Sequence, residues 1–235
     1  MGLADEVSDQ LYEAVKVTLA KRFGEEKTQA FDHWLMYYRE DPSFLLQVFG
    51  LIKDDDPLNT SDKEATLTDD TWGFTYFAFD GKLIVRFLKE EESFTAQEAR
   101  IALQLMSDAC EVYLPLGSVV DLDTDKLKDL IDPDAIDNFR VVITQRMAAP
   151  DDVPLYFNYG ATVYPVGIFK GCESIYFSSE LIKDVVSIGY SDDIEVAYIA
   201  AMKSEYLFKR NLCSYAFASK KDRLSARKAI AEKVA

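Results

Sequence analysis

Asp80-Gly81 lies between two stretches of strand-like sequence, and no other feature constrains the fold as tightly. Trp72 to Asp80 is aromatic. In Lys82 to Leu88, Leu83, Val85 and Phe87 alternate with Ile84, Arg86 and Leu88. A two-residue Asp-Gly link supplies the left-handed backbone of a tight turn, so the two stretches are expected to pair as an antiparallel hairpin. Lys89-Glu90-Glu91-Glu92 closes it. Ser93 or Thr95 then caps a helix, with Glu98 three residues after Thr95 as in a capping box. Ala99, Ala102, Leu103, Met106 and Ala109 form that helix's apolar side, which suits packing across the hairpin.

Helices are expected before the hairpin. Leu3, Val7, Leu11, Val15, Thr18 and Leu19 recur at three- and four-residue spacing, with Gly24 as the stop. A second helix spans Thr28 to Arg39 and presents Phe31, Trp34, Leu35 and Tyr38. After Asp41-Pro42, Ser43 caps a short helix with Phe44, Leu45, Val48, Phe49 and Ile52. Lys53 to Asp70 holds seven acids and Pro57, and reads as an exposed linker or long loop.

Strands dominate beyond the hairpin. They are expected at Val112 to Leu122, Arg140 to Gln145, Leu155 to Val163, Val166 to Phe169 and Val186 to Tyr190. A helical turn is expected around Leu127 to Ile131, a turn at 149–152, and a short helix from Phe177 to Val185. Ser191 or Asp192, with Glu195 at capping-box spacing, starts a long helix that ends near Arg210. Asp222 to Val234 forms a terminal helix. The fold class is therefore α+β: N-terminal helices, then a mainly antiparallel or mixed sheet with covering helices. The expected division is a helical region at 1–60, an α+β domain at 66–215 and a basic C-terminal helix at 216–235.

Charge narrows the partners. The 235 residues carry 26 Lys+Arg against 41 Asp+Glu, a formal net charge of −15. A phosphate backbone is repelled on average, so nucleic acid is not an expected partner. Residues 203–235 alone carry +6, which leaves −21 on residues 1–202. This tail either folds back on the acidic body or serves as a binding arm. No apolar run reaches the roughly 20 residues that span a bilayer, and Asp5 and Glu6 stand where a signal peptide has base. Cys110, Cys172 and Cys213 are too dispersed for a disulfide framework or a zinc cluster. The expected compartment is the cytoplasm, without membrane insertion.

Motifs for catalysis are weak. His33, the one histidine, sits in an aromatic helical stretch with Phe31, Trp34 and Tyr37, where packing or surface exposure is its expected role. No Gly-rich phosphate loop is present. Asp121, Asp123 and Asp125 resemble the start of a calcium loop, but Lys126 replaces the glycine and Asp132 the glutamate that close one, so a solvated acidic loop is expected. No catalytic residue, metal or cofactor is assigned. The aromatics divide between two clusters, one with Trp72, Phe74 and Tyr76, the other with Tyr156, Tyr159 and Tyr164. Core packing is the first expectation for both. Protein-binding anchors are the alternative, because large aromatics on one face of a strand suit that use.

One ordered set of motifs carries a resemblance. Leu114-Pro115-Leu116-Gly117-Ser118-Val119-Val120 is followed by Tyr164-Pro165-Val166-Gly167 and then by Ile188-Gly189-Tyr190-Ser191-Asp192-Asp193. Across residues 111–200 the chain resembles a small uncharacterised domain family of Gram-positive bacteria, encoded in operons for type VII secretion and LXG-type toxins. The resemblance implies a non-enzymatic cytosolic accessory or chaperone that binds a secreted toxin or a secretion component before export. An immunity protein against a cognate toxin and a carboxylate-based enzyme are the alternatives, and self-association into a homo-oligomer is left open.

Overall fold

The computed structural model describes residues 3–39, 41–52, 65–127, 138–149, 155–168 and 174–234. The chain divides into two units, Met1–Glu111 with Lys203–Arg210, and Val112–Met202 with Asn211–Ala235. The N-terminal helices and the hairpin fall in the same unit, whose first segment ends at Glu111.

The first unit holds α1 (Leu3–Phe23), α2 (Glu25–Tyr38) and α3 (Ser43–Gly50), then β1 (Ala65–Asp69), β2 (Phe74–Phe79), β3 (Lys82–Phe87), β4 (Glu90–Thr95) and α4 (Ala96–Cys110). Its strands form one antiparallel sheet in sequence order. The expected hairpin is present, with Phe79 opposite Lys82 and both Asp80 and Gly81 at positive φ. Phe74, Tyr76, Leu83, Val85 and Phe94 are buried, whereas Phe79 and Arg86 point outward. Rings from α2 meet that buried face: Trp34 lies 5.9 Å from Tyr76 and 5.5 Å from Phe94.

Polar bonds fix this contact. Tyr76 donates to the Tyr38 hydroxyl at 2.8 Å, and Tyr38 donates to Asp69 at 2.7 Å. Burial chiefly, and these bonds, push Tyr38 far above the ordinary tyrosine range. The capping box forms as expected. Thr95 Oγ1 accepts from the Glu98 amide, and Glu98 accepts from the Thr95 amide and from Lys27 Nζ at 2.9 Å. The Thr95 amide above all holds the Glu98 carboxyl below its usual range.

The second unit holds β5 (Val119–Leu122), β6 (Phe139–Ala148), β7 (Leu155–Val163), β8 (Ile175–Phe177), β9 (Ile182–Ser187), α5 (Asp193–Lys203), β10 (Cys213–Ser214) and α6 (Lys220–Val234). Its sheet runs β10-β7-β6-β5-β9, with β8 also on β7; β10 pairs parallel and the rest antiparallel. The last residue of α5, Lys203, belongs to the first unit, as does the π-helical turn Ser204–Lys209. The terminal helix packs within the second unit: Ala226 and Ile230 of α6 pack with Leu155, Phe157 and Ala218.

Five sequence expectations are corrected. Ala65–Asp69 is a strand inside the stretch expected as a loop, because β2 offers it a free edge. Glu90–Thr95 pairs as a fourth strand although its acids mark an end, with Arg86 answering Glu91 at 2.6 Å. The strand expected over 112–122 is confined to Val119–Leu122, since Gly117 takes a positive φ and donates to the Ile143 carbonyl. The helix expected at 177–185 is a 3-10 turn at Ser179–Leu181 followed by β9, where pairing with β5 outweighs local helical spacing. Asp121 is buried against Arg140 at 2.7 Å, not solvated, and that bond holds its carboxyl below the usual range. Residues 53–64 of the expected linker, 128–131 of the expected turn, 150–152 of the next turn, Phe169 and Cys172 lie outside the described residues.

Candidate protein-binding face

The aromatic anchors expected from sequence are mostly internal. Phe74, Tyr76, Tyr156 and Tyr159 are fully buried. Their strands pair on both sides, and the inward residues of such a strand fill a core. Tyr76 is held through its hydroxyl, and Tyr159 accepts from the Leu114 amide at 2.9 Å. Trp72 and Tyr164 are exposed, at 44% and 52%, but they belong to different units. Trp72 leans on the Tyr37 ring at 4.9 Å. Each unit thus leaves one of its three candidate aromatics exposed.

A different segment supplies exposed apolar surface. β9 is the terminal strand of its sheet, and none of its residues is buried. Val185 and Val186 are exposed there. Ile188, Tyr190, Ile194 and Tyr198 follow at 70%, 81%, 79% and 55% exposure. Large apolar side chains scattered singly on a surface are ordinary, whereas here six lie exposed within fourteen consecutive residues. The helix within this stretch is unusual. Ile194, Val196, Ala197, Tyr198, Ile199, Ala200, Ala201 and Met202 make α5 apolar on every side, yet Lys203 is its one buried residue. A helix of that composition is normally enclosed by other elements.

Local chemistry holds the segment in place. Ser118 is buried; its hydroxyl donates to the Pro115 carbonyl at 2.7 Å and accepts from the Gly189 amide at 2.9 Å. A β-carbon at Gly189 would stand 2.1 Å from the Leu116 carbonyl oxygen, so only glycine fits there. The motif residues Pro115, Ser118 and Gly189 therefore act together to seat the turn from which Tyr190 and α5 emerge. Asp192 accepts from the Glu195 amide at 3.0 Å and caps α5. Arg146 of β6 then ion-pairs with Glu195, and its guanidinium lies 6.0 Å from the Tyr198 ring. The turn, the cap and the ion pair hold the start of α5, whose Val196, Ile199 and Met202 are half-buried and whose Ile194, Ala197, Tyr198 and Ala201 are exposed.

Sequence periodicity did not point to this face. An apolar helix reads as core, and Phe177 to Val185 reads as a short helix, not as a strand at a sheet edge. The available signal was the lack of a polar side on α5 next to a strand flanked by glycine. No group of three or more His, Cys, Asp or Glu suited to a metal occurs among the described residues, and none of their helices is long and apolar enough to cross a membrane.

Residues 113–198 match the model of a family described as a domain of unknown function, DUF4176. The match spans a little over a third of the chain and contains every exposed residue from Val185 to Tyr198. No curated protein and no solved structure matches the chain.

Proposed function

We propose that this chain is a binding protein that holds a type VII secreted, LXG-type toxin or substrate in the cytoplasm before export, and that the client docks on the face formed by β9 and α5. The observation that carries the reading is α5 itself, an apolar helix whose Ile194, Ala197, Tyr198 and Ala201 are exposed while Val196, Ile199 and Met202 on its other side are half-buried. Covering Ile188, Tyr190, Ile194 and Tyr198 removes large apolar side chains from water, the main driving force of association. The class of client comes from the motif resemblance over residues 111–200.

Co-expression with the toxin encoded beside its gene tests the proposal. The client is expected to co-purify with the chain, and deletion of the gene is expected to lower its solubility and export. Recovery of the chain alone, with toxin solubility and export unchanged after deletion, overturns the reading. Protection of cells from the isolated toxic domain identifies an immunity protein instead.

A further inference from the structure

We infer that the partner segment seated on this face is a basic amphipathic helix, an assignment that rests on the reading of the face as a docking surface. Shape is the first argument. Ile194 and Tyr198 stand one turn apart on α5, and Ala197 and Ala201 stand one turn apart beside them. A ridge of large side chains next to a row of small ones is the relief into which a second helix packs, at about 8–10 Å between axes. A β-strand partner fits less well. The pairing of β9 with β5 is irregular on both sides of Val185, and the strand carries Lys183 and Asp184 in solvent. Bulges and charges of this kind blunt an edge against further strands.

Charge is the second argument. Between Ile182 and Met202 the acids are Asp184, Asp192, Asp193 and Glu195, and the one base is Lys183. Glu195 is already paired with Arg146, whereas Asp184, Asp192 and Asp193 are exposed. A second copy would bring the same acids to the same place, on a chain of net charge −15. A helix with lysines or arginines flanking an apolar stripe meets complementary charge and apolar surface together.

Fluorescently labelled synthetic peptides of about 18 residues provide the test, chosen to exceed one α5 length of helix. One has a leucine stripe with lysines opposite, a second has glutamates in place of the lysines, and a third scrambles the first so that no stripe remains. Each is titrated into the full chain and into the Ile194→Asp, Tyr198→Asp double variant. The lysine helix is expected to bind the unaltered chain about tenfold or more tighter than either control, and the double variant to weaken it by about tenfold. The variant adds two negative charges, so attraction by charge alone predicts tighter binding; unchanged or tighter binding overturns the inference. Equal binding of the glutamate helix, or of the scrambled peptide, also overturns it, as does failure of every helix to bind. So does a dimer of the unaltered chain that the double variant dissolves in sedimentation velocity. Both positions are exposed, and the double alanine variant repeats the test without added charge. Loss of the natural client from the double variant, with no helix preference in the titrations, removes the basic helix and leaves the docking face standing.

Discussion

Gly189 has room for a hydrogen and nothing larger. Its missing β-carbon would sit 2.1 Å from the Leu116 carbonyl oxygen and 3.0 Å from the Ser118 nitrogen, both backbone atoms. Gly189→Ala therefore forces the turn away from the 115–118 loop, at an expected cost of about 2 kcal/mol or more in urea unfolding. Ser118→Ala leaves the space intact but removes the bonds to Pro115 and Gly189, and is expected to cost about 1–3 kcal/mol. Equal stability of both variants with the unaltered chain would separate the motif from the fold. Lys203 makes a second residue-level case. Its buried ammonium donates to the carbonyls of Ala109 and Glu111 at 2.7 and 2.6 Å, where the end of α4 needs donors. Desolvation is the main cause that lowers its pKa from 10.5 to about 8. Between those two values the unfolded chain keeps a proton that the folded chain has released, so this group's contribution to stability rises with pH across that window. Unfolding of the unaltered chain and of Lys203→Met from pH 7 to 10.5 isolates it: stability of the first is expected to gain on the second as pH rises through 8. A constant difference would show that Lys203 titrates outside the window.

At the scale of elements, α2 is joined to the first sheet by rings and by one buried polar chain. Tyr38→Phe keeps the ring that stacks 5.2 Å from Phe44 but strands the Asp69 oxygen and the Tyr76 hydroxyl. An expected loss of about 1–3 kcal/mol follows, read as a lower urea midpoint with an unchanged slope. An unaltered midpoint would mean that the apolar rings alone hold α2 in place. The same elements show what the sequence makes legible. The β2–β3 hairpin and the α4 cap were readable because Asp80-Gly81 and Thr95 with Glu98 act within a few residues of themselves. β4 and β9 were hidden because their partners lie elsewhere: Glu91 is accommodated in a strand by Arg86, and Ile182 to Ser187 is drawn out by β5. The exposed face of β9 and α5 was hidden for a further reason. Ile194 and Tyr198 have the chemistry of core residues, and exposure is a property of what surrounds them, not of their spacing. Conversely, Tyr76 and Tyr159 had the chemistry of anchors and are internal because other chain segments satisfy their hydroxyls.

Over the whole molecule, the net charge of −15 acts at longer range than any contact on α5. Under the proposed docking, an acidic body raises the encounter rate with a basic helix, whereas apolar contacts at Ile194 and Tyr198 hold the complex once formed. These two effects separate in kinetics. With the lysine-faced helix as probe, raising the salt from about 0.05 M to 0.5 M shortens the screening length from more than 10 Å to less than 5 Å. The association rate constant is expected to fall about tenfold or more, while the dissociation rate changes little. The Ile194→Asp, Tyr198→Asp variant is expected to show the opposite pattern, faster dissociation with an association rate that is maintained or raised by its added acids. Stopped-flow fluorescence of the labelled peptide measures both. A dissociation rate that climbs with salt as steeply as association falls would place the charges inside the contact itself, and would make Asp184, Asp192 and Asp193, more than the apolar ridge, the residues that retain the partner.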